Sequence, residues 1–303
     1  MKAPAAPSGQ QIELALDDQR AVVTEVGAGL RTYSAGGREV LDGYPLDEMA
    51  ESGHGQLLIP WPNRIRDGIY DLDGRRHQLA LNELERRNAI HGLVRWSGWS
   101  VAEQDTSCVV LEHLLHPQPG YPFSLALSAE YSLSPDGLTV RTQATNVGGE
   151  TAPYGAGAHP YLAVDTDGVD DAVLRVPANS VLQADARAIP VGSGLVEGTE
   201  LDFRESKPIG DARLDHCFTD LDRSEDGRAR AELGRTTLWV DEGYPYLMVF
   251  TGDLPAVRRQ AVAVEPMTCP PNAFRSGEAL VTLGPGESHT AVWGLLPTIE
   301  VRE

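Results

Sequence analysis

The sequence predicts an all-β fold, a large antiparallel β-sandwich. Three observations carry that reading. Apolar residues alternate with period two along much of the chain. Its 31 glycines and 21 prolines punctuate it densely. Few long windows hold a helical period. No repeat of fixed period is legible, which disfavours a propeller. No Pro/Ser-rich linker divides the chain, so residues 11–303 read as a single domain.

Residues 1–10, MKAPAAPSGQ, read as a disordered leader. Beyond them Ile12, Leu14 and Leu16 alternate, followed by Ala21-Val22-Val23 and a turn at Gly27-Ala28-Gly29. The clearest hairpin comes later. Leu125, Leu127, Ala129, Tyr131 and Leu133 alternate, Ser134-Pro135-Asp136-Gly137 turns, and Leu138, Val140, Thr142 and Ala144 alternate in return. Two further pairs are expected: 237–240 with 246–251, and 280–283 with 288–295. Five segments break the strand pattern: 53–67, 82–99, 155–165, 213–222 and 265–277. They are rich in His, Arg, Asn, Pro and aromatics, and loops of that kind on a β scaffold are where sites lie.

Composition removes several function classes. The 303 residues hold 25 Lys+Arg against 44 Asp+Glu, a net charge of −19. That balance disfavours nucleic acid and an anionic membrane surface as partners, since both need an excess of base. Hydrophobic residues make up 41% and charged residues 23%, a globular proportion. Lys2 and Lys207 are the only lysines, so a Schiff base or a Walker lysine has few candidates. Cys108, Cys217 and Cys269 are odd in number and far apart, which suits a reducing compartment better than a disulfide framework. No signal-peptide core and no apolar run of about 20 residues is present. A soluble cytoplasmic protein is expected.

Familiar cofactor signals are missing. Gly27-Ala28-Gly29-Leu30-Arg31-Thr32 fails at the third glycine of a dinucleotide fingerprint. The eight histidines show no HExxH spacing. No Gly-x-Ser-x-Gly elbow occurs.

The five irregular segments supply the chemistry, each with a bland alternative. His91, before Gly92, is a backbone-bonded turn residue or a site residue. Pro160 confines His159 to extended backbone, so it is either a strand-end residue under Tyr161 or a proton-handling group. Asp215 is a turn cap or a binding carboxylate. Glu265 ends an apolar run, Val262-Ala263-Val264. If buried, its pKa rises and suits a general base; otherwise it pairs with an arginine at the surface. Asn63 and Arg64 offer donors for hydroxyls, or a fork onto backbone carbonyls. Trp61, Trp96 and Trp99 have the shape to stack on a sugar, but core packing is the better account of each.

Taken together these segments resemble the aldose 1-epimerase (galactose mutarotase) family. The matching pieces run in order: Pro62-Asn63-Arg64-Ile65, His91-Gly92-Leu93, Gly157-Ala158-His159-Pro160-Tyr161, Leu214-Asp215-His216-Cys217-Phe218 and Val264-Glu265-Pro266-Met267. The form Pro60-Trp61-Pro62-Asn63-Arg64 looks like a bacterial subgroup. The resemblance implies a supersandwich and the interconversion of α and β anomers of a free aldohexose, without a cofactor. It implies Glu265 as general base, His159 as general acid and His91 as a second histidine near the ring oxygen. Arg64 and Asp215 would hold sugar hydroxyls, with Asn63 beside them. The expected partner is a small-molecule sugar, and the protein a monomer or homodimer.

Three competing readings stand beside this one. A protein of the same fold could bind sugar without turnover. A glycosidase would use Asp215 and Glu265 as its carboxyl pair. An epimerase of a phosphorylated or sulfonated sugar would use Arg64, Arg66, Arg86, Arg87 and Arg95, which otherwise sit on solvated turns.

Overall fold

The computed structural model describes residues 5–253 and 259–298. Its two largest sheets have nine and six strands, and every strand pairing is antiparallel. In the nine-stranded sheet Cys108–Leu115, Leu125–Ser134, Gly137–Asn146, Ser288–Pro297 and Thr236–Val240 are consecutive neighbours. The six-stranded sheet runs Tyr161–Ala163, Ala261–Met267, Tyr246–Phe250, Asp215–Leu221, Ala178–Ala184, Pro190–Leu195. One hydrophobic cluster, from Ile12 to Leu295, draws on both sheets. Among the described residues, helix is confined to Ala273–Ser276 and the 3₁₀ turn Val169–Asp171. No helix there is long and apolar enough to cross a membrane. The three cysteines are unpaired.

The strongest sequence expectation holds in detail. Leu125, Leu127, Ala129, Tyr131 and Leu133 are buried, and their neighbours half-exposed. Ser134 pairs with Gly137 across a two-residue turn. Gly137 has φ +146°, and a Cβ there would stand 2.1 Å from the Leu295 carbonyl oxygen, so the close approach of the next strand requires glycine.

The two other expected pairs do not form. Thr236–Val240 pairs within the nine-stranded sheet, whereas Tyr246–Phe250 lies in the six-stranded one. The connection at 241–245 carries Tyr244, fully buried with its hydroxyl 3.0 Å from Thr142 Oγ1. That anchor makes the segment a crossing between sheets rather than a surface turn. Likewise Val281–Leu283 pairs with Ala152–Tyr154, while Ser288–Pro297 pairs with Gly137–Asn146. Buried Asn146 donates to the Leu283 carbonyl at 2.6 Å and parts the two strands. Alternation and turn residues specify a strand and a bend; they do not specify a partner.

The expected leader is docked for part of its length. Ser8 is buried, its carbonyl accepts from the Val26 N–H at 3.1 Å, and the Gln10 N–H donates to Glu25 Oε2 at 2.8 Å. Residues 1–4 lie outside the described residues.

The six-stranded sheet positions the site. Both its faces are covered along strand Ala261–Met267, which is buried at every residue. Period two still divides the faces. Leu162, Val262, Val264, Leu247, Val249 and Phe218 face the main cluster. The opposite face carries Tyr161, Ala263 and Phe250 in one small cluster, and Met248, Cys217 and Met267 in another. Glu265 pairs with Met248, and Asp215 with Phe250, so both belong to this second face.

Phe218 tests the division. Phe218→Ala is expected to lower the unfolding free energy by about 3–5 kcal/mol, read from urea denaturation. A loss below about 1 kcal/mol would mean that the inner face is not the core described.

Candidate active site

Three pieces of chain meet the second face of the sheet. The first is the strand pair Arg64–Arg66 and Asn88–Ile90. Its end is closed by Asn63 and His91, both at positive φ (53° and 63°), with the His91 N–H donating to the Asn63 carbonyl at 2.9 Å. The second is Gly53–Gln56, bound to the backbone of His159 from both sides. Gly55 N–H donates to the His159 carbonyl at 2.9 Å, and His159 N–H donates to the Gln56 carbonyl at 3.1 Å. Gly53 has φ +81°, and a Cβ there would lie 2.7 Å from His159 Cδ2, so the close approach again requires glycine. The third is the sheet itself, which presents Glu265 and Asp215.

They enclose a cavity of about 570 Å³, a size suited to a small-molecule ligand. All six residues singled out from the sequence, Glu265, His159, His91, Arg64, Asp215 and Asn63, line it. His159 is 4% and Glu265 2% exposed, and His159 Nε2 stands 3.3 Å from Glu265 Oε1. The His91 and His159 rings meet edge to face at 5.4 Å. Glu265 Oε2, His159 Nδ1 and His91 Nδ1 are buried without a hydrogen-bond partner. Buried polar atoms of native proteins are normally satisfied, so three cavity-lining side chains with a partnerless atom each single this place out as the candidate site.

Burial sets the charge states. It raises the Glu265 carboxyl well above the carboxylate range; nearby Asp215 adds to the rise and Arg64 opposes it. It lowers His159 to about 3, helped by the charges of His54 and Arg95. His91 is lowered well below its ordinary value by burial, then by Arg95, His159 and Arg64. The free site therefore favours a protonated Glu265 beside two neutral imidazoles. Neither bland reading of the pair survives alone. Among the described residues no arginine pairs with Glu265, whose partner is His159. His159 does pack on Tyr161, ring to ring at 4.9 Å, but it faces the cavity as well.

Arg64 is fixed from several directions. Its Nε donates to both Glu83 oxygens at 3.0 and 3.1 Å, and its Nη1 donates to Asn63 Oδ1 at 3.2 Å. Asn63 thus spends its amide oxygen on Arg64, leaving its NH2 group as the end free to serve a ligand. Asp215 lies 3.8 Å from Arg64 and 3.6 Å from Arg86, with its side chain part-exposed to the cavity.

The arginines separate in space. Arg64, Arg86 and Arg95 line the cavity, whereas Arg66 pairs with Asp185 outside it. Arg87 is not part of the lining. The tryptophans are not either: Trp61 and Trp99 are core, and Trp96 is half-exposed under Arg95. Sequence reasoning missed Glu83, Phe250, Arg213 and Asp253. Phe250 had a signal, its parity with Asp215 across paired strands, but reading it needs the register.

Comparison with known proteins decides the family. The family model described as aldose 1-epimerase matches residues 10–295. The chain belongs to the aldose 1-epimerase family. The Escherichia coli (strain K12) protein YihR, uncharacterized, is 37% identical over 283 residues, covering 93% of this chain and 91% of its own. Galactose mutarotase of Sus scrofa is 29% identical over 157 residues, 49% of this chain and 44% of its own. Among solved structures, a GalM/aldose epimerase homologue from C. elegans superposes with a TM-score of 0.86 at 18% identity, covering 96% of this chain and 99% of its own. Galactose 1-epimerase from Lactobacillus acidophilus superposes with a TM-score of 0.80 at 22% identity, covering 94% and 93%. As an aldose 1-epimerase family member the protein is an isomerase acting on sugars, which sets the glycosidase reading aside.

The raised Glu265 pKa has a sign that calorimetry reads. Above the ordinary carboxylate value the folded state holds a proton that the unfolded state has released. Wild-type stability from this group therefore falls as pH rises from that value toward the raised one. Glu265→Gln removes the effect. The variant is expected to melt above the wild type, by a margin that grows between about pH 5 and about pH 8. A margin that shrinks over that range would contradict the burial account.

Proposed function

We propose that the protein is a mutarotase, interconverting the α and β anomers of a free aldohexose by general acid/base ring opening. The observation that carries the reading is the His159–Glu265 pair, 3.3 Å apart in the cavity wall with one partnerless polar atom on each side chain.

Glu265 as carboxylate takes the proton of the C1 hydroxyl while His159 as imidazolium protonates the ring oxygen. The C1–O5 bond breaks, giving an aldehyde and a C5 hydroxyl. The pair is left as carboxylic acid and neutral imidazole. Rotation about C1–C2 turns the other face of the carbonyl inward, and the two groups, with roles exchanged, close the ring. The pair carries one proton throughout, and no cofactor enters the balance. Burial favours the neutral form of the pair, which is its form on the open-chain side of the reaction. Arg64 offsets the cost of the ionised carboxylate. His91, held neutral, has a ring nitrogen available to the ring oxygen or a neighbouring hydroxyl. Arg64 and Asp215 orient the hydroxyls.

One observation favours a second reading of substrate. Arg95 lines the cavity, and among the described residues no carboxylate ion-pairs with it, unlike Arg64 and Arg86. An aldose bearing phosphate or sulfonate would supply the missing anion. Arg213, at the cavity's exposed side, would add to it.

Polarimetry of freshly dissolved α-glucose or α-galactose tests the reading. The protein is expected to speed equilibration, and Glu265→Gln and His159→Asn each to lower kcat by about 10²–10⁴. Asp215→Asn is expected to raise KM about tenfold with a smaller change in kcat. Because the active pair holds one proton, kcat/KM is expected to be bell-shaped in pH, its limbs belonging to the pair rather than to either residue. Wild-type rates in both pair variants would overturn the roles. A preference for glucose 6-phosphate over glucose of about tenfold or more, lost in Arg95→Gln, would establish the anionic reading instead.

A further inference from the structure

Three aromatic rings are stacked in a row that ends at His159. The His159 ring lies on Tyr161 at 4.9 Å and 16°, and Tyr161 lies on His54 at 3.8 Å and 9°. Tyr161 is held at both ends by the segment that carries His54: its hydroxyl donates to the Ser52 carbonyl at 3.1 Å, and its carbonyl accepts from the Asp42 N–H at 2.9 Å. His54 is itself buried. Its Nδ1 stands 2.9 Å from the Glu51 carbonyl oxygen and its Nε2 3.3 Å from Asp42 Oδ2. A carbonyl and a carboxylate have only lone pairs to offer. Both ring nitrogens therefore face acceptors, and a proton on either one ties the ring to the segment around it.

We propose that His54 is a positioning residue for His159: a ring fixed behind Tyr161 that clamps the plane of the acid/base ring and, when it bears a proton, disfavours positive charge on it. The proposal rests on the acid/base reading above. His54 does not line the cavity, so it acts through Tyr161 and through its charge.

The charges around both rings agree with that role. Around His54 they are Asp42, Tyr44 edge-on at 6.5 Å, Tyr161, and the backbone carbonyl of Glu51. Around His159 they are Glu265, His91, Tyr161, Arg95 and Arg64. After burial, the His54 charge is the largest influence holding His159 low, ahead of Arg95 and Arg64. When His54 is charged, the cation behind the ring makes protonated His159 a stronger acid toward the sugar ring oxygen. It does so without occupying space that the sugar needs.

The test compares wild type with His54→Phe, which keeps a stacking ring and loses the charge, and with His54→Gln, which loses both. In both variants the limbs of the kcat/KM profile are expected to move to higher pH by about 0.5–1.5 units, as for a unit charge several ångströms away in a half-screened site. KM is expected to stay within about twofold, and kcat to fall more in His54→Gln than in His54→Phe. An unchanged pH profile in both variants would overturn the proposal whatever happens to kcat. Should the variants fail to fold, ¹⁵N NMR of wild-type histidine side chains decides. The His54 and His159 rings are expected to titrate as a coupled pair, and titrations independent of one another would end the idea. Should the wild type lack mutarotase activity, the functional reading fails by itself. The NMR titration of His159 in wild type and His54→Gln then still reads the coupling directly, and equal titrations would refute it.

Discussion

Burial of His159 against Glu265 is the constraint on which the site depends. Each group alone would be driven to its neutral form by the loss of water, the carboxyl by keeping a proton and the imidazole by shedding one. They face each other at 3.3 Å, and in the proposed mechanism they share one proton between a neutral and an ionic arrangement. In that proposed mechanism the reaction consists of moving between those arrangements by way of the sugar. A solvated pair would ionise freely and gain nothing from passing its proton through a substrate. The rest of the cavity follows from this: Gly53 permits the approach of backbone to His159, and Arg64 stands where it tempers the charge on Glu265.

The sheet supplies the burial. Strand Ala261–Met267 is covered on both faces, so Glu265 is deep although its Cβ points away from the main core. Small apolar clusters on either side of the site, with Phe250 in one and Met248 in the other, keep water from the flanks. The overall charge of −19 does not govern the cavity, which four arginines and five carboxylates line. Most of those charges are tied to one another, as Arg64 is to Glu83. Arg95 differs, and it is there that the chemistry of the bound sugar would be read.

The sequence made some of this legible, and the reasons are physical. Alternation through 125–146 predicted a hairpin because its strands have one buried face, so polarity reports orientation. Glu265 stood out because an acid at the end of an apolar run has few surface explanations. The expected pairs 237–240 with 246–251 and 280–283 with 288–295 failed because a bend carries no information about a distant partner. Tyr244 and Asn146 redirect those strands through contacts more than a hundred residues away in sequence. The ring stack behind His159 was hidden for the same reason. His54 sits in a segment that reads as a polar loop, and its meaning arises only when residues 42–56 fold over Tyr161. The arginine run suggested one anion site, but Arg66 turns to Asp185 and only part of the run reaches the cavity.

The most direct measurement is a crystal structure of the protein with a bound aldohexose, using Glu265→Gln to hold the sugar closed. The account expects one monosaccharide in this cavity, its C1 hydroxyl within hydrogen-bond reach of residue 265 and its ring oxygen within reach of His159. A sugar bound with its anomeric carbon turned away from both side chains, or bound elsewhere with this cavity empty, would contradict it.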